Sequence, residues 1–304
     1  MSADRPLLGI LLMLCFCVLA PLGDSMAKLL GGTIPLGELI FFRFAVQGFL
    51  LLPLALLLGK SLRLRAKIYR GIFYRTVAHV VGLAAMFAAL QYLPLADAVA
   101  IAFVMPFFIL LSGWMFLGEE VGPHRLSACL VGFGGTLLVI QPNFTEVGWP
   151  AFLPLIVAIA FAAFMLTTRT IAREVDAVTM QGISGLMALP IVAVAILLLR
   201  PAPVAEIIPP PRDVWWLLAA FGLVGTFSHF FMTWSLKFAP ASTLAPMQYL
   251  EIPFSTFFGW LIFGDLPDGL AGLGIVILVS AGLYIIARER AIAVRPVPPA
   301  PPAS

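Results

Sequence analysis

Ten stretches of roughly 20 apolar residues follow one another along this 304-residue chain with only short connections between them, and few folds accommodate that pattern. The spans are read at residues 7–29, 35–58, 70–92, 95–117, 124–141, 149–170, 177–199, 213–236, 241–263 and 268–287. Hydrophobic residues make up 62% of the chain and charged residues 11%, too few to coat a water-soluble domain. The expectation is an all-α integral membrane protein of ten transmembrane helices. The first span is too long for a signal-peptide core and leads directly into the next, so it is expected to be retained.

Charge sets the orientation. Lys60, Arg63, Arg65, Lys67 and Arg70 crowd the connection between spans 2 and 3, which the positive-inside rule places in the cytoplasm. With ten spans both termini then lie inside, and thirteen of the eighteen Lys and Arg residues fall on the cytoplasmic side. Topology accounts for the basic loop without a nucleic-acid partner. Cys15, Cys17 and Cys129 all fall within spans, as small apolar packing groups rather than a disulfide framework or metal ligands. No metal or cofactor is expected. The proline-rich ending, residues 291–304, is read as a disordered tail.

The chain is written twice. Residues 90–140 match 236–286 at an offset of 146: Leu90 with Leu236, Pro94 with Pro240, Gly113 with Gly259, Trp114 with Trp260 and Gly118 with Gly264, while Glu119 faces Asp265. Residues 1–141 and 149–290 form the two units of five spans each. Five is odd, so the second unit enters the membrane from the opposite side, and inverted repeats of this kind suggest alternating access.

The paired segments "LPLADAVAIAFVMPFFILLSGWMFLGEE" and "APASTLAPMQYLEIPFSTFFGWLIFGDLPD", with "GDSMAKLL" and "ELIFFRF" near the start, resemble the EamA branch of the drug/metabolite transporter superfamily. The resemblance implies a secondary carrier of small organic solutes in the cell inner membrane, with a cavity between the halves. Within the family the patterns look most like carriers for S-adenosylmethionine or riboflavin, while other relatives move amino acids and drugs. The expected partners are a solute and the lipid bilayer; neither oligomeric state nor direction is readable.

Glu251 lies mid-span in "QYLEIP", where an ionisable side chain costs roughly 2.5–3.5 kcal/mol on insertion scales. Pro253 deprives the Tyr249 carbonyl of its partner and kinks the helix. Gln248 shares a face with Glu251, and Tyr249 lies further around. Two readings stand: Glu251 binds a cationic group or the coupling proton, or it is a protonated acid that fixes helix packing. Pro106 occupies nearly the equivalent place in span 4 and frees the Ala102 carbonyl; Met105 stands where the repeat would put the acid. Asp24 and Lys28 are one turn apart in span 1, whereas Glu38 and Arg43 in span 2 point about 140° apart. These four either cross-pair between spans, or form part of an outer gate, or serve structural pairing and snorkelling. His79 and His229 are candidate proton relays or hydrogen-bonded packing residues. Trp114 and Trp260 suit interfacial anchoring, with cavity lining as the alternative. "GFGGT" lies in an apolar span, and "GKS" lacks the first glycine of a Walker motif, so ATP drive has no support. No HExxH or GxSxG pattern is present, which argues against an enzyme and leaves a passive channel as the other alternative.

Overall fold

A computed structural model describes residues 5–93, 95–119, 121–140, 148–200, 202–264 and 269–293. Pro94 and Asp265 of the repeat, and the tail from residue 294 onward, lie outside the described residues.

The helices are α1 (Pro6–Leu30), α2 (Leu36–Leu57), α3 (Ala66–Ala89), α4 (Leu95–Ala102), α5 (Met105–Leu117), α6 (Pro123–Ile140), α7 (Phe152–Ile171), α8 (Ala177–Leu199), α9 (Trp215–Phe238), α10 (Ala241–Leu244), α11 (Glu251–Phe263) and α12 (Gly269–Ala293). Helix occupies all ten places read as spans, although α12 runs to Ala293, beyond the end read at residue 287. Among the described residues six helices are long and apolar enough to cross a membrane: α1, α2, α3, α7, α8, and α9 with its lead-in from Arg212. Local chemistry marks several starts. Pro6 opens α1, where its missing N–H costs nothing. Asp176 caps α8 by accepting from the Thr179 N–H at 3.0 Å and the Thr179 hydroxyl at 2.7 Å.

Spans 4 and 9 are the discontinuous ones. α4 stops at Ala102 and α5 restarts at Met105 with Pro106 at its second position, so the break falls where the missing proline N–H would have been needed. In span 9 the chain leaves α10, tightens into a 3-10 turn over Ala245–Leu250, and returns to α-helix at Glu251. Pro253 therefore sits in the first turn of α11, where the lack of an N–H forfeits no bond within that helix, and the break precedes the proline. α5 and α11 end alike, on Gly118 and Gly264 in the left-handed conformation with φ of 62° and 79°.

Every extensive packing pair joins the two halves of the chain: α1 lies along α9, α2 along α8, α3 along α7, and α6 along α12. The buried core is thus largely the interface between the halves. Close approach at α2 and α8 depends on small residues, as is common where helices associate in lipid. A Cβ on Gly185 would stand 2.5 Å from the Gly48 backbone nitrogen, and one on Gly182 2.8 Å from that of Leu52. Backbone cannot yield as a side chain can. Gly185→Ala is expected to cost about 1–3 kcal/mol by overpacking, read as a lower thermal midpoint in detergent; an unchanged midpoint would mean that the crossing opens freely. The outward surface is apolar, with Phe49, Leu57, Phe116, Leu198 and Trp216 all strongly exposed, as a lipid-facing surface should be.

Candidate functional site

α1, α2, α3, α4, α5, α7, α9 and α11 converge on a narrow cavity of about 90 Å³. Six phenylalanines contribute to its largely apolar wall: Phe16, Phe87, Phe103, Phe161, Phe164 and Phe221. Set among these rings are Asp24, Arg43, His79, His229, Glu251 and Ser255. Six of the sequence-predicted residues are placed together or nearly so by this arrangement: Asp24, Arg43, His79, His229 and Glu251 line the cavity, and Pro106 flanks its neighbour Met105, which does.

The polar groups here are unequally satisfied. Arg43 is buried, and its Nη2 lies 2.8 Å from Nδ1 of His229. The Ser228 hydroxyl lies 3.1 Å from the same nitrogen. Arg43 Nη1, both ring nitrogens of His79 and Oε1 of Glu251 have no hydrogen-bond partner among the described residues. Buried polar groups are seldom left so, because an unmade bond costs about 1–3 kcal/mol and more for a charge. A donor, an acceptor and an imidazole all without partners on one cavity make a site that a ligand or water would complete.

His79 and His229 stack at 4.2 Å between ring centroids, 26° from parallel, although they come from different halves of the chain. Phe164 packs against His79 at 4.7 Å and against His229 at 6.1 Å. One helical turn toward the basic loop, each of these three helices supplies a polar residue: Arg75 below His79, Thr168 below Phe164 and Thr233 below His229. Arg75 is fully buried. Its guanidinium donates to Thr168 Oγ1 at 2.9 Å, Thr233 Oγ1 at 3.1 Å and Gln181 Oε1 at 3.3 Å, and lies 4.4 Å from the Phe164 ring centre. Gln47 of α2 joins by donating to the Gln181 carbonyl at 2.9 Å. This plate of hydrogen bonds ties α2, α3, α7, α8 and α9 beneath the cavity. Arg75 falls within the span read at residues 70–92 and was not among the candidate residues; the spacing Arg75/His79, Phe164/Thr168 and His229/Thr233, polar or aromatic every fourth residue in apolar helices, was the available signal.

At the basic-loop end Glu119 bridges the halves. Its carboxylate accepts from the Ala241 N–H at 3.1 Å and the Ser242 N–H at 2.8 Å, and stands 3.6 Å from Arg169 Nε. Arg125 donates to the Ser242 hydroxyl at 3.1 Å, and Arg169 to the Leu236 carbonyl at 2.6 Å. At the other end, Phe87 lines both the cavity and an outer pocket that also holds Lys28 and Gln91, so this ring is the partition between them.

Other predicted residues stand apart from the cavity. Lys28 Nζ sits 4.9 Å over the Phe263 ring, joining α1 to the end of α11. Glu38 accepts from the Ile208 N–H at 3.1 Å and so fastens the α8–α9 connection. Gln248 and Tyr249 are fully buried in the 3-10 turn; Gln248 donates toward Met165 Sδ at 3.1 Å, and the Tyr249 ring packs on Gly132 and Phe103. Among the described residues no group of three or more His, Cys, Asp or Glu side chains is arranged to hold a metal ion.

A helical membrane fold whose halves meet at a buried, partly unsatisfied cavity between helix breaks defines a transporter of small solutes. The chain belongs to the EamA-like transporter family, a non-catalytic transport family within the drug/metabolite transporter superfamily, which matches residues 7–141 and again residues 148–288. It is 30% identical over 223 residues to a riboflavin transporter of Rhizobium johnstonii, covering 71% of this chain and 69% of that protein. An S-adenosylmethionine uptake transporter of Rickettsia prowazekii is 28% identical over 282 residues, 93% of each chain. The pseudopaline exporter CntI of Pseudomonas aeruginosa is 28% identical over 279 residues, 90% of this chain and 93% of that one. A crystal structure 20% identical in sequence superposes with a TM-score of 0.73 over 95% of this chain and shares its fold.

Proposed function

We propose that the protein is a secondary carrier that moves a planar, heterocyclic metabolite through the cavity between two inverted five-helix repeats by alternating access. The observation that carries this reading is the cavity itself: phenylalanine rings surround an unpartnered guanidinium N–H of Arg43 and an unpartnered carboxylate oxygen of Glu251. Aromatic walls favour a flat ring, and a donor and an acceptor on one cavity favour a polar ring edge or a charged appendage. Riboflavin and S-adenosylmethionine, named for the relatives, both have this chemistry; amino acids and drugs are the next candidates.

The packing supports inversion. Exchanging the repeats turns the α1–α9 contact into the α7–α3 contact and leaves α2–α8 and α6–α12 unchanged, which is the set of pairs observed. The carrier sits in the cell inner membrane with ten spans and both termini in the cytoplasm, as the basic connection between α2 and α3 supports. About 90 Å³ is far below the roughly 300–1,000 Å³ of common ligand sites. The cavity therefore has to widen to admit solute, by parting the Phe87 partition on one side or the Glu119 bridge and Arg75 plate on the other. Coupling runs through protonation of Glu251 and the stacked His79 and His229, whose location in the cavity joins it to solute occupancy.

Counterflow in proteoliposomes tests the reading. Internal unlabelled riboflavin, S-adenosylmethionine or amino acid is expected to drive transient accumulation of the same labelled solute, saturably. Unsaturable equilibration would make the protein a channel, and no flux of any solute would remove the proposed substrates.

A further inference from the structure

Three helix faces continue from the central cavity into an outer pocket of about 450 Å³ at the end opposite the basic loop. On α1 the face passes from Asp24 in the cavity to Lys28 in the pocket, and on α2 from Arg43 to Leu39. On α3 it passes from Leu83 through Phe87 to Gln91. Steps of four residues keep each set on one side of its helix. Among the described residues Phe87 alone lines both spaces, and it is buried. One ring thus parts them, whereas the hydrogen bonds of the Arg75 plate and the Glu119 bridge close the basic-loop side. The outer pocket also has the roughly 300–1,000 Å³ of common ligand sites, which the cavity of about 90 Å³ lacks. Its lining is not uniformly apolar, because Lys28 and Gln91 add an ammonium group and an amide to Leu36, Leu39 and Leu90. Lys28 Nζ rests 4.9 Å over the Phe263 ring and has no carboxylate partner among the described residues. A cation–π contact is weaker than a charge-assisted hydrogen bond, so an acceptor entering the pocket competes with the ring for the ammonium group.

We propose that the outer pocket is a second solute site, which holds a planar solute by an acceptor edge at Lys28 and Gln91 before it passes Phe87 into the cavity; this rests on the protein being a carrier. The acceptor is a ring carbonyl or a carboxylate, and the flat face of the solute lies against the Phe87 ring. A cation without an acceptor edge is disfavoured by the ammonium group. Because Lys28 is then drawn from Phe263 at the end of α11, capture also loosens the helix that begins at Glu251.

Protection of a reporter thiol reads occupancy of the pocket without requiring transport. Gly32 lines the pocket and nothing lies within 4 Å of a Cβ built there, so Gly32→Cys adds a thiol without a clash. Its reaction with a water-soluble methanethiosulfonate is followed in the purified full chain, with the wild-type chain as the blank and riboflavin or S-adenosylmethionine as the probe. Labelling is expected to slow about tenfold when the probe stands at ten times its dissociation constant, by mass action. Adding Lys28→Gln should raise the half-protecting concentration about tenfold, the loss of one charge-assisted hydrogen bond, and Lys28→Arg should restore it. Adding Glu251→Gln, which alters the cavity, should leave the protection in place. Protection that vanishes with Glu251→Gln but survives Lys28→Gln puts the solute in the cavity alone and overturns the proposal, as does the absence of protection by either probe. Protection in a chain that shows no counterflow would keep the binding site and remove the carrier; counterflow without protection would do the reverse.

Discussion

Glu251→Gln is expected to lower the rate of saturable counterflow about 30-fold or more while the protein folds and inserts normally. Glutamine keeps the size and the hydrogen-bonding reach of the side chain but holds neither a charge nor an exchangeable carboxyl proton. A hydrogen bond to a charged group is worth about 1.5–3 kcal/mol, and each 1.4 kcal/mol is tenfold. Because Oε1 of Glu251 has no partner among the described residues, little of that energy is committed to structure. Glu251→Asp should retain a measurable fraction, reduced because the carboxylate is withdrawn by one methylene. Full counterflow with unchanged pH dependence in the glutamine variant would make Glu251 a packing acid and leave the cavity's function to Arg43 and the histidines.

The second large effect is expected at a residue with no side chain. Gly225 faces Arg43 so closely that a Cβ built there falls within the guanidinium group. Gly225→Ala must therefore push Arg43 off His229 Nδ1, or part α2 from α9. Overpacking of this kind costs about 1–3 kcal/mol, which a thermal scan in detergent will show. Transport is expected to fall in parallel, at least tenfold, because the displaced guanidinium carries the cavity's unpartnered donor with it. Gly134→Ala in α6 is the control: nothing lies within 4 Å of its Cβ position, so neither stability nor counterflow should drop. If Gly225→Ala transports normally, Arg43 is a structural cation and not part of the solute site.

Much of the fold was legible because membrane insertion is a local problem. Each span has to be apolar over its own length, and each proline removes a hydrogen bond from its own turn, so the places of the helices and the interruptions near Pro106 and Pro253 could be read directly. Even there the geometry of span 9 required the structure. A kink at Pro253 was the expectation, but the chain absorbs the proline in the first turn of α11 and makes the break before it. That shift carries Gln248 and Tyr249 into the 3-10 turn, where they pack on Met165, Gly132 and Phe103. Glu251 alone of the three reaches the cavity.

The candidate site divides in the same way. Single ionisable residues in apolar helices, such as Asp24, Arg43, His79, His229 and Glu251, stand out in a sequence because burying each one is costly. Their partners do not. Helical spacing says that His79 and Arg75 share a face, yet nothing in it says that His79 stacks on His229, about half a chain away, or that Arg75 is held by Thr168, Gln181 and Thr233. By itself the sequence determined the medium, the helices and the costly residues, since those follow from transfer free energy and backbone chemistry within one segment. Only the tertiary structure decided which polar groups meet, because those meetings depend on how glycine-lined helices from opposite halves close on one another.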